Sequence, residues 1–266
     1  EDLPGVGKTT LAHLLARLLG LDYQRVQFTS DMLPADIIGA SVFERGDDGQ
    51  RFRFHPGPVF AQVILADEIN RATPKTQSAL LEAMEEGQVT VDGQSHPLPQ
   101  PFFVIATQNP TTQIGTFPLP ESQLDRFLMR LSLGYPDRDA ERDLLRGVDR
   151  RSLLEQLGAV MQPSELLRIR ATLAEVHVAD ALLDYLLALL QASRADGRFA
   201  QGLSPRAGLA LLRAARASAL LDGRREVIPE DLQQVLPAVV DHRLQGAAGT
   251  LDHAPGRALL ETVAVP

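Results

Sequence analysis

Hydrophobic and polar residues follow two different patterns along this chain, and the change comes near Pro136. Before it, short apolar runs typical of buried strands, such as residues 63–66 and 102–107, alternate with segments of helical period. After it, from residue 137 to about 244, every segment has helical period and no strand-like run occurs. Strands alternating with helices, then helices alone, predict a parallel α/β domain followed by an α-helical lid.

Within the first part, a helix is predicted over residues 10–21, and a strand over residues 23–29 follows its glycine stop. Residues 30–58 form a glycine-rich, irregular stretch. Phe43 and the alternating residues 51–54 are predicted to form a short hairpin inside it.

Turn and cap residues define the next elements. Thr73 suits the N-cap of a helix, Pro74 its first position, and Gly87 its stop. An Asp-Gly pair between alternating positions predicts a hairpin over residues 88–98. A last strand is predicted over residues 129–133.

The predicted domains are an α/β core over residues 1–136, a helical lid over 137–244 and an unassigned tail over 245–266. In the lid, Ser204 caps one helix, while another begins at Pro229 after Ile228, which is a poor cap.

The strongest chemical signal is the run Asp-Leu-Pro-Gly-Val-Gly-Lys-Thr-Thr at residues 2–10, which reads as a phosphate-binding loop entering a helix. Lys8 suits contact with the β- and γ-phosphates, and the Thr9 hydroxyl suits a magnesium ion. The alternative is a glycine-containing turn before an ordinary helix. The candidate nucleotide-binding residues of the loop are Pro4, Gly5, Val6, Gly7, Lys8, Thr9 and Thr10.

A second run, Val-Ile-Leu-Ala-Asp-Glu at residues 63–68, places two carboxylates at the end of a buried strand. Asp67 is expected to hold the magnesium with Thr9, and Glu68 to polarise the attacking water. The two runs together predict hydrolysis of a nucleoside triphosphate.

Three more polar residues fall where a nucleotide site would use them. Asn109 follows a buried strand, and its alternative is a turn-forming residue before Pro110. Arg126 suits contact with the γ-phosphate of the nucleotide bound by a neighbouring subunit. The alternative is that it forms an intramolecular salt bridge. Arg206, in the first turn of a lid helix, is placed to close the lid over the nucleotide. A cation at the start of a helix opposes the helix dipole, so we expect an anionic partner for it. The alternative is a surface arginine with no such role.

Composition narrows the function classes. The chain has no cysteine, which excludes disulfides, thiolate zinc sites and cysteine nucleophiles. A net charge of −8 argues against nucleic acid as a partner. No apolar run reaches the length of a membrane span and no secretory signal is visible, so a cytoplasmic protein is expected.

Asp2 stands where the usual phosphate loop has its first glycine, and the chain begins where a supporting strand should already have ended. The sequence is therefore expected to be a fragment whose first strand and upstream helix are missing.

The set of motifs resembles the AAA+ ATPases, specifically the MoxR branch, and the resemblance extends to about Arg243. An acidic residue at position 2 fits that branch. The residues that carry the resemblance are Leu-Ala-Asp-Glu-Ile-Asn-Arg-Ala at 65–72, the hairpin after 84–86, Ala-Thr-Gln-Asn-Pro at 106–110, Gly-Thr-Phe-Pro-Leu-Pro-Glu at 115–121, Leu-Asp-Arg-Phe at 124–127 and Ser-Pro-Arg at 204–206.

The resemblance implies a role for each of these positions. Lys8 and Thr9 would belong to the first nucleotide motif, and Asp67 and Glu68 to the second. The remaining roles would be the first sensor for Asn109, the arginine finger for Arg126 and the second sensor for Arg206. It also implies ATP and Mg²⁺ as cofactors, a hexameric ring, and chaperone-like remodelling of a protein client with a partner that has a von Willebrand factor A domain.

The leading hypothesis is therefore a magnesium-dependent ATPase that remodels or activates a protein partner. The alternative is a related ring ATPase acting on DNA, although the predicted hairpin has no Lys or Arg over residues 88–97. A small-molecule kinase is a third class, but it needs neither Glu68 nor the two arginines.

Overall fold

The computed structural model describes residues 6–46, 49–108, 115–147, 154, 156–246 and 254–265, and the statements below concern these residues. The chain divides into two compact units. Unit 1 comprises Glu1–Leu119 and Ser132–Leu167, and unit 2 comprises Pro120–Leu131 and Arg168–Pro266. The domain boundaries at residues 136 and 244 remain sequence predictions.

The strands all lie in unit 1. They are β1 (Tyr23–Gln27), β2 (Gly39–Gly46), β3 (Gly49–Pro56), β4 (Val63–Asp67), β5 (Gln88–Val91), β6 (Gln94–Pro97) and β7 (Phe103–Ala106). The helices, in chain order, are α1 (Lys8–Leu18), α2 (Pro34–Ile38), α3 (Pro74–Glu86), α4 (Glu121–Leu124), α5 (Arg138–Leu145), α6 (Pro163–Thr172), α7 (Asp180–Ala195), α8 (Pro205–Leu221), α9 (Pro229–Val240) and α10 (Pro255–Leu260).

Unit 1 is built on a parallel sheet of order β1-β4-β7. The central strand β4 is buried along its whole length, as its four apolar residues predict. Ala16 of α1 packs with Leu21 and Val63, so this helix lies on the sheet. The parallel α/β fold expected from the sequence is confirmed, and it brings the carboxyl ends of β4 and β7 to one edge.

Two antiparallel hairpins extend from this unit. The hairpin β2–β3 is longer than the sequence indicated, pairing Gly39 with Pro56 and continuing to Gly46 and Gly49. The hairpin β5–β6 is the predicted one, and its turn residues Asp92 and Gly93 have φ values of 50° and 77°. An Asp-Gly pair is favoured in such a turn because both positions need positive φ. The ring of Phe54 stacks on that of His96 at a centroid distance of 3.9 Å, so the two hairpins touch.

Unit 2 is helical, and its core consists mainly of residues from α7, α8 and α9. Leu189, Leu211 and Leu236 have no exposed surface. Helix α9 begins at Pro229 as predicted. Ile228 has no capping side chain, but the carboxylate of Asp231, the third residue of the helix, stabilises this start by accepting the Ile228 N–H at 2.9 Å. Part of the unassigned tail is structured, since α10 buries Leu259 in the same core.

The strand predicted over residues 129–133 is wrong, because that segment is irregular in the structure and pairs with no strand. Its residue Arg130 donates its N–H to the Ala238 carbonyl at 2.7 Å, near the end of α9. The last carbonyls of a helix lack partners within the helix, and this N–H satisfies one of them. Met129 packs against the helical core of unit 2. Within the described residues, none of the helices combines the length and apolar character that a membrane crossing requires.

Candidate functional site

The loop that precedes α1 ends in a glycine with a left-handed backbone. Gly7 has φ 96° and ψ 14° and occupies the N-cap position, so Lys8 and Thr9 form the first turn of the helix. A glycine N-cap offers no side chain to the first N–H groups, which leaves this helix end suited to an anion. Pro4 and Gly5 of the predicted loop lie outside the described residues. The described loop residues are Val6, Gly7, Lys8, Thr9 and Thr10.

The carboxyl end of β4 holds Asp67 in a network of hydrogen bonds. Its Oδ1 accepts a hydrogen bond of 2.6 Å from Thr107 Oγ1, directly after β7. Its Oδ2 accepts two bonds from Arg25 on β1, of 3.0 Å from Nε and 2.6 Å from Nη2. The carboxylate of Asp67 is thus oriented by residues from both neighbouring strands.

The next residue, Glu68, has an unusual backbone. Its φ of 58° and ψ of 46° lie in the left-handed region, which for a residue other than glycine costs of order 1–3 kcal/mol. The conformation is held by two contacts to Thr107: the Glu68 N–H donates to Oγ1 at 2.9 Å, and the Ile69 N–H donates to the carbonyl at 3.0 Å. Strained residues of this kind concentrate at functional sites.

The Glu68 carboxylate forms an ion pair with Arg71, with 2.7 Å between Oε2 and Nε. Both side chains are partly exposed, so the pair adds less than about 1 kcal/mol to stability. Its backbone is more firmly fixed, because Gln77 Nε2 donates to the carbonyls of Ile69 at 3.3 Å and Ala72 at 3.1 Å. Hydrogen bonds thus hold the backbone of the turn that carries Glu68, whereas the Glu68 carboxylate has only a partly exposed ion pair.

The residues present fit a magnesium ion. Mg²⁺ prefers hard oxygen ligands and usually takes only one or two from the protein, with phosphates and water completing its shell. Thr9 supplies a hydroxyl and Asp67 a carboxylate, which is this kind of donor set. Among the described residues, no group of three or more His, Cys, Asp or Glu is placed to hold a metal ion.

Unit 2 contains the two candidate arginines. Arg126 follows α4, and Arg206 is the second residue of α8. The Ser204 hydroxyl caps α8 by accepting the Ala207 N–H at 3.1 Å, and it donates to the Asp125 carboxylate at 2.9 Å. The Asp125 carboxylate therefore lies beside the N-cap of α8, the helix that carries Arg206. Asn109, the predicted first sensor, lies outside the described residues.

Burial changes two pKa values near this arrangement. Desolvation, with a contribution from the neighbouring Arg243, lowers the pKa of His242 to about 4. Desolvation also lowers the pKa of Arg243, although the Asp125 carboxylate opposes that shift.

The sequence alone indicated no role for Thr107, Arg25 or Arg71. Thr107 had a usable signal, since a polar residue directly after a buried strand lies at the ligand-binding edge of a parallel sheet. Nothing local to Arg25 pointed to its role, because its partner is 42 residues away in the sequence.

Two parts of the chain match the models of known protein families, and the whole chain matches a solved structure. Residues 1–129 match the model of the ATPase family associated with various cellular activities (AAA), and residues 191–263 match an AAA lid domain. A solved structure from Cytophaga hutchinsonii, described as a candidate ATPase, has a TM-score of 0.89 and 36% identity, covering 100% of this chain and 84% of its own.

Three curated relatives are similar over most of the chain. The Bacillus subtilis protein YeaC is 45% identical, covering 92% of this chain and 76% of its own length. The chaperone MoxR1 of Mycobacterium tuberculosis is 42% identical, covering 92% and 66% respectively. The protein MoxR of Methylorubrum extorquens is 36% identical, covering 90% and 76%.

Proposed function

The chain belongs to the MoxR branch of the AAA family of ATPases, and on this premise we propose that it hydrolyses ATP with Mg²⁺ to remodel or activate a protein partner. The observation that carries the hydrolysis is the arrangement at the carboxyl end of β4. There Thr107 binds both Asp67 and the backbone of the strained Glu68.

In this proposal Lys8 and the start of α1 bind the phosphates, because a lysine ammonium is a point charge and the N-terminal end of a helix is the positive end of its dipole. Thr9 and Asp67 would hold a magnesium ion, which would neutralise negative charge at the phosphates. Glu68 orients the attacking water and accepts its proton. We assign the first sensor to Asn109, the arginine finger to Arg126 and the second sensor to Arg206.

The assembly and the partner are also proposals. A finger that acts on a neighbour requires subunits in a ring, for which a hexamer is the expected size. The name of the Mycobacterium tuberculosis relative supports a chaperone-like role. We propose a protein client, recognised with the help of a partner that carries a von Willebrand factor A domain, and we place client contact or mechanical coupling at the Asp92-Gly93 tip of hairpin β5–β6.

A pair of substitutions tests the hydrolysis. Glu68→Gln should keep ATP binding and abolish turnover, since the amide can still hydrogen-bond to water but cannot accept its proton. Lys8→Ala should instead weaken binding itself. Nucleotide affinity is measured with a fluorescent ATP analogue and turnover by phosphate release. Hydrolysis by Glu68→Gln at the parent rate would remove Glu68 from its role, and no Glu68-dependent hydrolysis by the parent would overturn the function.

One observation keeps a DNA-acting motor as the second candidate. Strand β3 exposes Arg51 and Arg53, and Phe52 between them is 73% exposed, a combination that suits nucleic acid. Arg53 is partly neutralised by Glu44 at 3.8 Å. DNA binding that is tight, sensitive to salt and lost in the double variant Arg51→Ala/Arg53→Ala would favour this candidate. Loss of client remodelling but not of ATP affinity on shortening hairpin β5–β6 would favour the protein client.

A further inference from the structure

The segment that carries the candidate finger, residues 125–128, is bound by an arginine whose side chain is buried. Arg243 lies just after α9, and only 4% of its side chain is exposed. Its Nη2 donates to the carbonyls of Asp125 at 3.1 Å and Phe127 at 2.5 Å, and its Nη1 to that of Leu128 at 3.0 Å. Three carbonyls of the segment 125–128 are therefore bound by one guanidinium. The planar, fixed array of donors in arginine makes this possible, and lysine has no equivalent.

The same arginine joins this segment to α9. Besides its bonds to residues 125–128, its Nη1 donates to the Val239 carbonyl in the last turn of the helix. A cation is favourable at the C-terminal end of a helix, where the carbonyls lack partners. The neighbouring His242 adds a contact of 3.1 Å from Nε2 to the Phe127 carbonyl.

The Asp125 side chain provides the second connection. It forms an ion pair with Arg243 Nε at 2.8 Å and also accepts the Ser204 hydroxyl at 2.9 Å. Ser204 is the N-cap of α8, whose second residue is Arg206. Asp125 therefore joins the backbone next to Arg126 directly to the helix that carries Arg206.

Stability alone does not explain why the charge of Arg243 is buried. Taking an arginine out of water costs several kcal/mol, and an ion pair often does no more for stability than well-packed apolar residues would. Unit 2 has an extensive apolar core of its own. What the Asp125–Arg243 pair adds is orientation. The segment it binds follows directly after α4, and α4 has no buried residue that would hold it in place.

We infer that Asp125 and Arg243 are positioning residues that hold the finger Arg126 and the second sensor Arg206 on one rigid body. This inference rests on the proposed function. When nucleotide binding by a subunit moves its Arg206, the finger it offers to the next subunit moves with it. The two residues thus couple successive sites.

The test compares Asp125→Asn with Asp231→Asn. Asparagine keeps the shape of Asp125 but removes the charge that pairs with Arg243. Asp231 is the matched control, because its buried carboxylate accepts two bonds of 2.6 Å from Arg224 in the same unit, away from the finger segment. Asp125→Asn should lower kcat by about 10²-fold with ATP affinity unchanged, since small displacements of a catalytic group have effects of that size. Asp231→Asn should lower the melting temperature only.

Two further measurements separate positioning from general damage. In an Arg126→Ala background, Asp125→Asn should lower kcat no further, because it acts through the side chain already removed. In mixed assemblies, Asp125→Asn should restore activity with Lys8→Ala, as Arg126→Ala should, and should not restore it with Arg126→Ala. If Asp125→Asn does not fold, Arg243→Lys, which keeps the charge but loses the fork, takes its place.

The outcomes are distinct. Additive losses with Arg126→Ala, or recovery of activity when Asp125→Asn is mixed with Arg126→Ala, would place the defect in the subunit's own site and overturn the inference. If the parent shows no Glu68-dependent hydrolysis, the proposed function is wrong. If Arg126→Ala has the same kcat as the parent, Arg126 is not the finger.

Discussion

Acidification should destabilise unit 2 through His242, whose imidazole is buried beside Arg243. Its pKa is lowered to about 4 by desolvation first and then by Arg243 and Arg130, while the Phe127 carbonyl and Asp125 act in the opposite direction. A carbonyl oxygen can only accept, so Nε2 carries the proton of the neutral ring. Nδ1 is buried without a hydrogen-bond partner, which leaves no acceptor for a second proton.

The magnitude follows from linkage. The unfolded pKa is near 6.5, so between pH 6.5 and about 4 the unfolded state binds the proton and the folded state does not. The contribution of neutral His242 to the free energy of unfolding is therefore fully present above pH 6.5 and is lost as the pH falls from 6.5 to about 4. A difference of about 2.5 pKa units corresponds to about 3 kcal/mol in total. Between about pH 7.5 and 5 the loss is about 2 kcal/mol, or roughly 10 °C in melting temperature for a unit of this size.

The assay is thermal unfolding followed by circular dichroism near pH 7.5 and pH 5, for the parent and His242→Gln. Glutamine can donate to the Phe127 carbonyl but does not titrate. Asp241 has a pKa raised by burial, so it stabilises the fold as the pH falls; it is present in both proteins and cancels in the comparison. The parent should lose about 10 °C more than His242→Gln between the two pH values. An equal loss in both proteins would refute the reasoning.

Two other predictions concern single side chains. Thr107→Val should lower kcat and cost about 1–3 kcal/mol of stability, because Asp67 Oδ1 and the Glu68 N–H both lose their hydrogen-bond partner. Thr107→Ser should keep both hydrogen bonds. Phosphate release and thermal melts measure these effects, and a normal kcat in the valine variant would contradict the prediction. Leu211→Ala should lower the free energy of unfolding, measured in urea, by about 2–5 kcal/mol, because Leu211 is fully buried. Leu209 is 69% exposed, so Leu209→Ala should lower it by less than about 0.5 kcal/mol. Equal losses would show that this core is not packed as described.

The local features of the fold could be read from the sequence. Gly87 ends α3 with φ 63°, and Thr73 caps the same helix by accepting the Thr76 N–H. The buried strand β4 and the turn at Asp92 were likewise predictable. Each depends on residues only a few positions apart, where backbone geometry and the spacing of apolar residues leave few alternatives.

The tertiary structure decided what those features contact. Residues 129–133 look like a strand because apolar and polar residues alternate there, but the Arg130 N–H binds the Ala238 carbonyl near the end of α9 instead of a neighbouring strand. The partners of Asp125 are Ser204 and Arg243, 79 and 118 residues further along the chain. A charged residue in a sequence does not reveal which distant group neutralises it, because that pairing exists only after the helices have packed and excluded water. The sequence by itself thus determined the chemistry of the candidate site, whereas the folded chain determined which residues hold it in place.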